Sequence, residues 1–399
     1  MLRYLLVSGL SALMLLLSTT SPLPAQEAQG TGGKWKEGQF ELVDGDRVVL
    51  IGNTFIEREQ QHGYLELVLT LKHADRRATF RNLGWSGDVV SGLSRARFGD
   101  VNEGFGHLKR SLELTKPTVA IICYGGNEAF EGEAGQERFK QGYETLLAEI
   151  EKYTSRVVLV TPPAMENMGP PLPDPAPYNE NLAKYGKTIQ DLAYDRGYVV
   201  ADMTALSQKI FDAAEEQRLT TNGLHLTDHG YWRLAHALAE ELGVSTVASI
   251  SDSRENYLNK TTTAKASVPL PVDPSPIADT PNVKLQVTGL DTGTYTARVG
   301  QEASQIATER QLQAGISIHV PELAERSELL RQTIVAKNEL FFHRYRPQNE
   351  TYLFLFRKHE QGNNAAEIPQ FDPLIEEKEA EIFRLCRPMV LTIRLRASN

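Results

Sequence analysis

Four short polar stretches carry the side chains that could do chemistry: Gly52-Asn53-Thr54, Asn82-Leu83-Gly84, Gly125-Gly126-Asn127 and Asn222-Gly223-Leu224-His225. Together they supply a hydroxyl, an imidazole, side-chain amides and glycines that leave backbone N–H groups open. Those are the parts of an acyl-transfer site: nucleophile, general base and oxyanion donors. Each stretch also has an ordinary reading. Asn53 and Thr54 fit a helix cap, Asn127 a turn, and His225 a loop histidine. His225 and His229 have the i, i+4 spacing of a metal pair, but only Asp228 stands beside them as a further ligand. No metal or other cofactor is expected.

Position in the chain gives these stretches their weight. Arg47-Val48-Val49-Leu50-Ile51 is a continuous β-branched and aliphatic run ending at Gly52, the pattern of a parallel strand buried on both faces. Further strands are expected at 40–43, 78–82, 118–123, 156–161 and 198–202. Apolar residues at helical spacing predict helices over 57–72, 101–114, 136–153, 179–196, 205–218 and 228–242. The alternation predicts a three-layer α/β, flavodoxin-like domain over residues 40–243, with a parallel sheet between helices. Loops at the carboxyl ends of parallel strands converge in space, which would bring the four stretches together. The proline-rich insert Met165 to Tyr178 is expected to edge that cleft.

Composition narrows the class. A net charge of −9 argues against nucleic acid as a partner, since phosphate binding needs clustered positive charge. An apolar content of 41% is that of a globular protein. Arg3, an apolar run to Leu17 and small residues before Ala25 have the layout of a secretory signal peptide over 1–25, with 26–39 a flexible segment. The chain is therefore expected to be exported, periplasmic or secreted, with no membrane span after cleavage. An uncleaved N-terminal anchor is the alternative. Its two cysteines, Cys123 and Cys386, offer neither a disulfide framework nor a zinc site.

The four stretches, in this order and strand context, resemble the four blocks of the SGNH (GDSL-type) hydrolase family over roughly 46–242. Gly52-Asn53-Thr54 stands where the family has Gly-Asp-Ser, Gly84 matches the second-block glycine, Asn127 the third-block asparagine, and Asn222-Gly223-Leu224-His225 the last block, Asp-x-x-His. The resemblance implies an esterase or deacylase, acting on a small-molecule or carbohydrate ester. Thr54 would be nucleophile, His225 base and Asn222 its orienting partner, with Thr54, Gly84 and Asn127 holding the oxyanion. Two departures weaken it: Thr54 adds a methyl to the nucleophile, and Asn222 removes the charge behind the histidine. A catalytically weak module that binds a glycan in the same cleft is the competing reading.

Residues 244–282 are rich in Ser, Thr, Pro and Asp and read as a linker. Residues 283–399 read as a small α+β region, with strands at 283–287, 295–299, 316–320 and 389–395 and helices at 322–340 and 373–387. Its strands are too few to stand alone, so it is expected to pack on the α/β domain. Arg344, Arg346, Arg357 and Lys358 lie in its aromatic stretch 341–361. Arg344 and Arg346, with Asn53 and Trp85, are the substrate-contact candidates. The competing reading makes the stretch a small core with arginine stems packed across it.

Overall fold

The computed structural model describes residues 35, 39–213, 217–243, 248–253, 261–268, 270, 283–301, 303–360 and 364–398. The expected signal peptide and most of 26–39 lie outside these. Five strands, β1 (Arg47–Gly52), β2 (Thr79–Asn82), β3 (Val119–Cys123), β4 (Val157–Val160) and β5 (Val199–Ala201), form one parallel sheet in the order β2-β1-β3-β4-β5. Gly52 pairs with Cys123 and Leu50 with Asn82, so the strands end together at one edge. The stretch expected as a strand at 40–43 is not one. Its N–H groups go to side chains instead: Leu42 N–H to His73 Nε2 and Val43 N–H to Asp46 Oδ2.

Alternate residues of each strand face opposite layers. Val48, Leu50, Val119 and Ile121 pack under α1 (Thr54–His62), α2 (Tyr64–Lys72), α6 (Met203–Asp212) and α7 (Asp228–Glu241). Val49, Ile51, Ala120 and Ile122 pack under α3 (Val101–Thr115), α4 (Gln136–Ile150) and α5 (Ala176–Arg196). The helix expected over 57–72 is two helices, broken at Gly63, where the buried Glu59 carboxylate accepts the Leu65 N–H. Among the described helices, none is long and apolar enough to cross a membrane.

Two of the strands after α7 fall where a linker was expected: β6 (Ala248–Ser253) and β7 (Thr261–Val268). Then come β8 (Val283–Thr288), β9 (Thr294–Val299), β10 (Ala303–Thr308), α8 (Glu309–Ala314), β11 (Ile316–Ile318), α9 (Pro321–Tyr345), α10 (Glu350–Leu353), α11 (Phe371–Leu385) and β12 (Met389–Ser398). They make a four-stranded antiparallel sheet, β10-β9-β12-β7, and a three-stranded one, β11-β8-β6. Polar strands that pair with long partners are hard to tell from a linker by composition, because β7 owes its strand state to eight residue pairs with β12 rather than to an apolar stripe.

The C-terminal region packs on the α/β domain along α9, which covers edge strand β2. Lys337 Nζ donates to both Glu66 carboxylate oxygens at 2.8 Å and to the Phe80 carbonyl at 2.9 Å. Arg331 reaches the His62 carbonyl, and Tyr345 O–H donates to the Gly84 carbonyl at 2.9 Å. Phe341, Tyr345 and Ile375 belong to the same apolar cluster as Val49 and Ile51. The β2 edge of the sheet is thus covered by a helix instead of left open as a template for aggregation.

Candidate active site

The carboxyl edge of the sheet carries a small cavity, about 90 Å³, lined by Thr54, Asn127, His225 and their neighbours. Asn53 caps α1 with its side chain, accepting the Phe55 N–H, and so places Thr54 as the first helical residue. The cap reading holds, and it leaves Thr54 on the cavity wall. Gly87 N–H donates to Thr54 Oγ1 at 3.1 Å.

Gly84 was the expected donor, but its N–H is bound to Asn82 Oδ1 at 2.8 Å and it does not line the cavity. Its role is close packing: a Cβ there would stand 2.3 Å from the Glu57 nitrogen. The N–H that faces Thr54 Oγ1 belongs to Gly87, three residues on, held at φ +73°. A buried network fixes that turn. Asp88, fully buried, pairs with Arg95 Nε at 2.6 Å and accepts the Tyr124 hydroxyl, while its carbonyl accepts Asn127 Nδ2 at 2.7 Å. Glu128 accepts the N–H groups of Val90 and Gly125, joining this turn to the one after β3. Burial pushes the Glu128 carboxyl up to about 7.

His225 arrives on a loop clasped by the proline-rich insert. Glu166 N–H donates to the Gly223 carbonyl at 2.8 Å, and the Glu166 carboxylate accepts the Thr220 hydroxyl. Asn222 is beside the ring, but in the reverse sense to that expected. Its Oδ1 accepts the N–H groups of Leu224 and His225, at 3.1 and 2.8 Å. Those donors leave only Nδ2 to face His225 Nδ1, 3.4 Å away. An amide N–H directed at Nδ1 favours the tautomer with its proton on Nε2, so the second nitrogen starts as a donor. Among the described residues no hydrogen bond joins Thr54 to His225. Asp228, the acid close in sequence, is engaged by His62 and Tyr64.

The remaining candidates separate. Asn53 lines the cavity. Trp85 is buried behind the Gly87 turn, with the Arg346 guanidinium 3.5 Å from its ring centre. Arg346 also pairs with Glu57 at 2.7 Å, so Trp85 and Arg346 support the loop and do not line the cavity. Arg344 pairs with Asp372 and lines a different cavity, and Arg357 pairs with Glu360. The residue missed was Arg58, which lines the Thr54 cavity from α1. Its signal was available: i and i+4 share a helix face, and Thr54 and Arg58 have that spacing. Burial first, and Arg58 second, hold the His225 imidazole below its usual value.

The profile of the GDSL-like lipase/acylhydrolase family matches residues 51–233. That match spans just under half of the chain and falls within the α/β domain, which is similar to this family there. Among solved structures, a gut microbial diltiazem-metabolizing enzyme is similar at 14% identity with a TM-score of 0.67, over 91% of this chain and 100% of that one. An acetylxylan esterase from Geobacillus stearothermophilus is similar at 17% identity, over 52% of this chain and 98% of its own, with a TM-score of 0.42. The first likeness shows that the fold recurs with its C-terminal region attached. No curated protein matches the chain.

Proposed function

We propose that this chain is an exported esterase that removes a small acyl group, acetyl in size, from a carbohydrate ester. The observation that carries the reading is the Gly87 N–H aimed at Thr54 Oγ1 in a cavity that Asn127 and His225 also line. Once the ring proton of His225 has moved from Nε2 to Nδ1, Thr54 Oγ1 attacks the ester carbonyl carbon and Nε2 takes its proton. The oxyanion is held by the N–H groups of Gly87 and Thr54 and by the second Asn127 Nδ2 hydrogen, the first being given to Asp88. Collapse expels the alcohol with the proton from His225, and water releases the acid by the same steps in reverse order. A cavity of about 90 Å³ is a fraction of a drug-sized pocket and suits a two-carbon acyl group, with the alcohol part outside.

The Asn222 amide facing Nδ1 supports a second reading, a weakly catalytic module that holds a glycan, because His225 must change tautomer before it can act as a base. Turnover of 4-nitrophenyl acetate and octanoate by the wild type and a Thr54→Ala variant separates the two. The esterase reading expects acetate turnover that exceeds octanoate turnover and is lost in the variant. Equal rates for both proteins contradict it. Export rests on the apolar N-terminal run, and N-terminal sequencing of the mature protein tests cleavage after Ala25.

A further inference from the structure

Arg58 stands one helical turn beyond Thr54, half-buried, on the wall of the same cavity. Among the described residues no hydrogen bond or ion pair occupies it. The arginines around it are otherwise engaged: Arg346 with Glu57, Arg95 with Asp88, Arg331 with Glu328. The acids flanking Arg58 on α1 are both taken, Glu57 by Arg346 and Glu59 by the Leu65 N–H. No Asp or Glu lines the cavity, whose polar wall includes Arg58, His225, Asn127, Asn53 and Thr54, while the Tyr178 and Tyr231 hydroxyls are given to the Gly126 and Phe55 carbonyls. A partly desolvated guanidinium without a counter-ion is costly to keep, and it is offset when a ligand brings the charge. The local sign is also opposite to the chain's net charge of −9.

We propose that Arg58 selects esters whose alcohol part carries a carboxylate, a uronic acid rather than a neutral sugar; this rests on the esterase reading of the site. The charge belongs to the alcohol part because the cavity has room for only a small acyl group, whereas Arg58, only part-buried, remains accessible to a group outside it. A carboxylate matches the planar guanidinium fork with two parallel hydrogen bonds, which a hydroxyl cannot reproduce. His225 supports the placement, since its imidazole feels the Arg58 charge.

The test compares kcat/KM for 4-acetoxybenzoate and 4-acetoxybenzamide in the wild type and an Arg58→Gln variant. Taking the ratio in each protein cancels the difference in leaving-group chemistry. The ratio is expected to fall about tenfold or more in the variant, and to fall with added salt in the wild type alone. A ratio equal in both proteins overturns the proposal. A second arm does not need catalysis: glucuronate and glucose are titrated into the full chain carrying Thr54→Ala. Glucuronate is expected to bind more tightly than glucose, and Arg58→Gln to erase the difference. If the wild type turns over no ester but glucuronate binds through Arg58, the esterase reading fails and the charge reading stands. If turnover requires Thr54 but neither arm responds to Arg58, the charge reading fails alone.

Discussion

Replacing Asn222 by Asp tests how the site activates its nucleophile. The amide now uses Oδ1 for two backbone N–H groups and presents Nδ2 to His225 Nδ1 at 3.4 Å. A carboxylate keeps the first contacts and puts an acceptor in the amide nitrogen's place. That moves the ring proton to Nδ1, frees Nε2 to act as base, and adds a charge to stabilise the imidazolium. Coulomb attraction across 3.4 Å is roughly 1–2.5 kcal/mol at effective dielectrics of about 80 to 40, the screened end being right because residue 222 is exposed. The expected gain in kcat/KM is therefore roughly five- to seventy-fold, well short of the roughly four orders of magnitude carried by a buried protease aspartate. The assay is 4-nitrophenyl acetate hydrolysis across pH. The wild-type limb lies below the ordinary histidine value of 6.5, because burial and Arg58 both disfavour the imidazolium, and the variant's limb lies higher. An unchanged or lower kcat/KM in a folded variant refutes the reasoning.

The two glycines before Asp88 should respond in opposite ways. Gly84→Ala drives a Cβ into the Glu57 backbone at 2.3 Å and should cost about 3 kcal/mol of stability by denaturant titration. Gly87→Ala meets nothing closer than Ser94 Oγ at 3.6 Å, so it should cost about 1–2 kcal/mol for its positive φ while losing most activity as the N–H is re-aimed. Glu128 binds its proton more tightly in the folded protein, at about 7 against 4.5, so its stabilising contribution is complete below 4.5 and lost as pH rises through 7. Stability measured against pH should show a wild-type decline of roughly 3 kcal/mol over that window relative to Glu128→Gln. Lys337→Met leaves the Glu66 carboxylate buried without its cation and should cost about 3 kcal/mol at pH 8, less in acid where Glu66 takes up a proton. Adding Glu66→Leu should return most of that loss.

The sheet was legible because β1 and β3 are unbroken apolar runs, and parallel strands buried on both faces leave no other reading of such runs. Thr54, Asn127 and His225 were legible because strand ends and loops fix where their side chains converge. Gly84 and Gly87 could not be ranked from the sequence, since both lie in one turn and the choice depends on Asn82 Oδ1 occupying the first N–H. The sense of the Asn222 contact was equally hidden, because it is decided by two backbone donors that claim Oδ1. Arg346 looked like a ligand for substrate, but Glu57 and the Trp85 face satisfy it, whereas Arg58 was overlooked amid the charges of α1. Whether a cation is spent or open is a property of its neighbours in space.

The most direct test of the site is to catch the acyl group on it. Wild type and Thr54→Ala are mixed with 4-nitrophenyl acetate, quenched in acid before turnover is complete, digested and weighed by mass spectrometry. One added acetyl group is expected on Thr54, absent from the variant and longer-lived in a His225→Ala variant once formed, since deacylation also needs the base. A wild-type protein that releases nitrophenol with no acetyl on Thr54, or with the label on another residue, contradicts the nucleophile assignment.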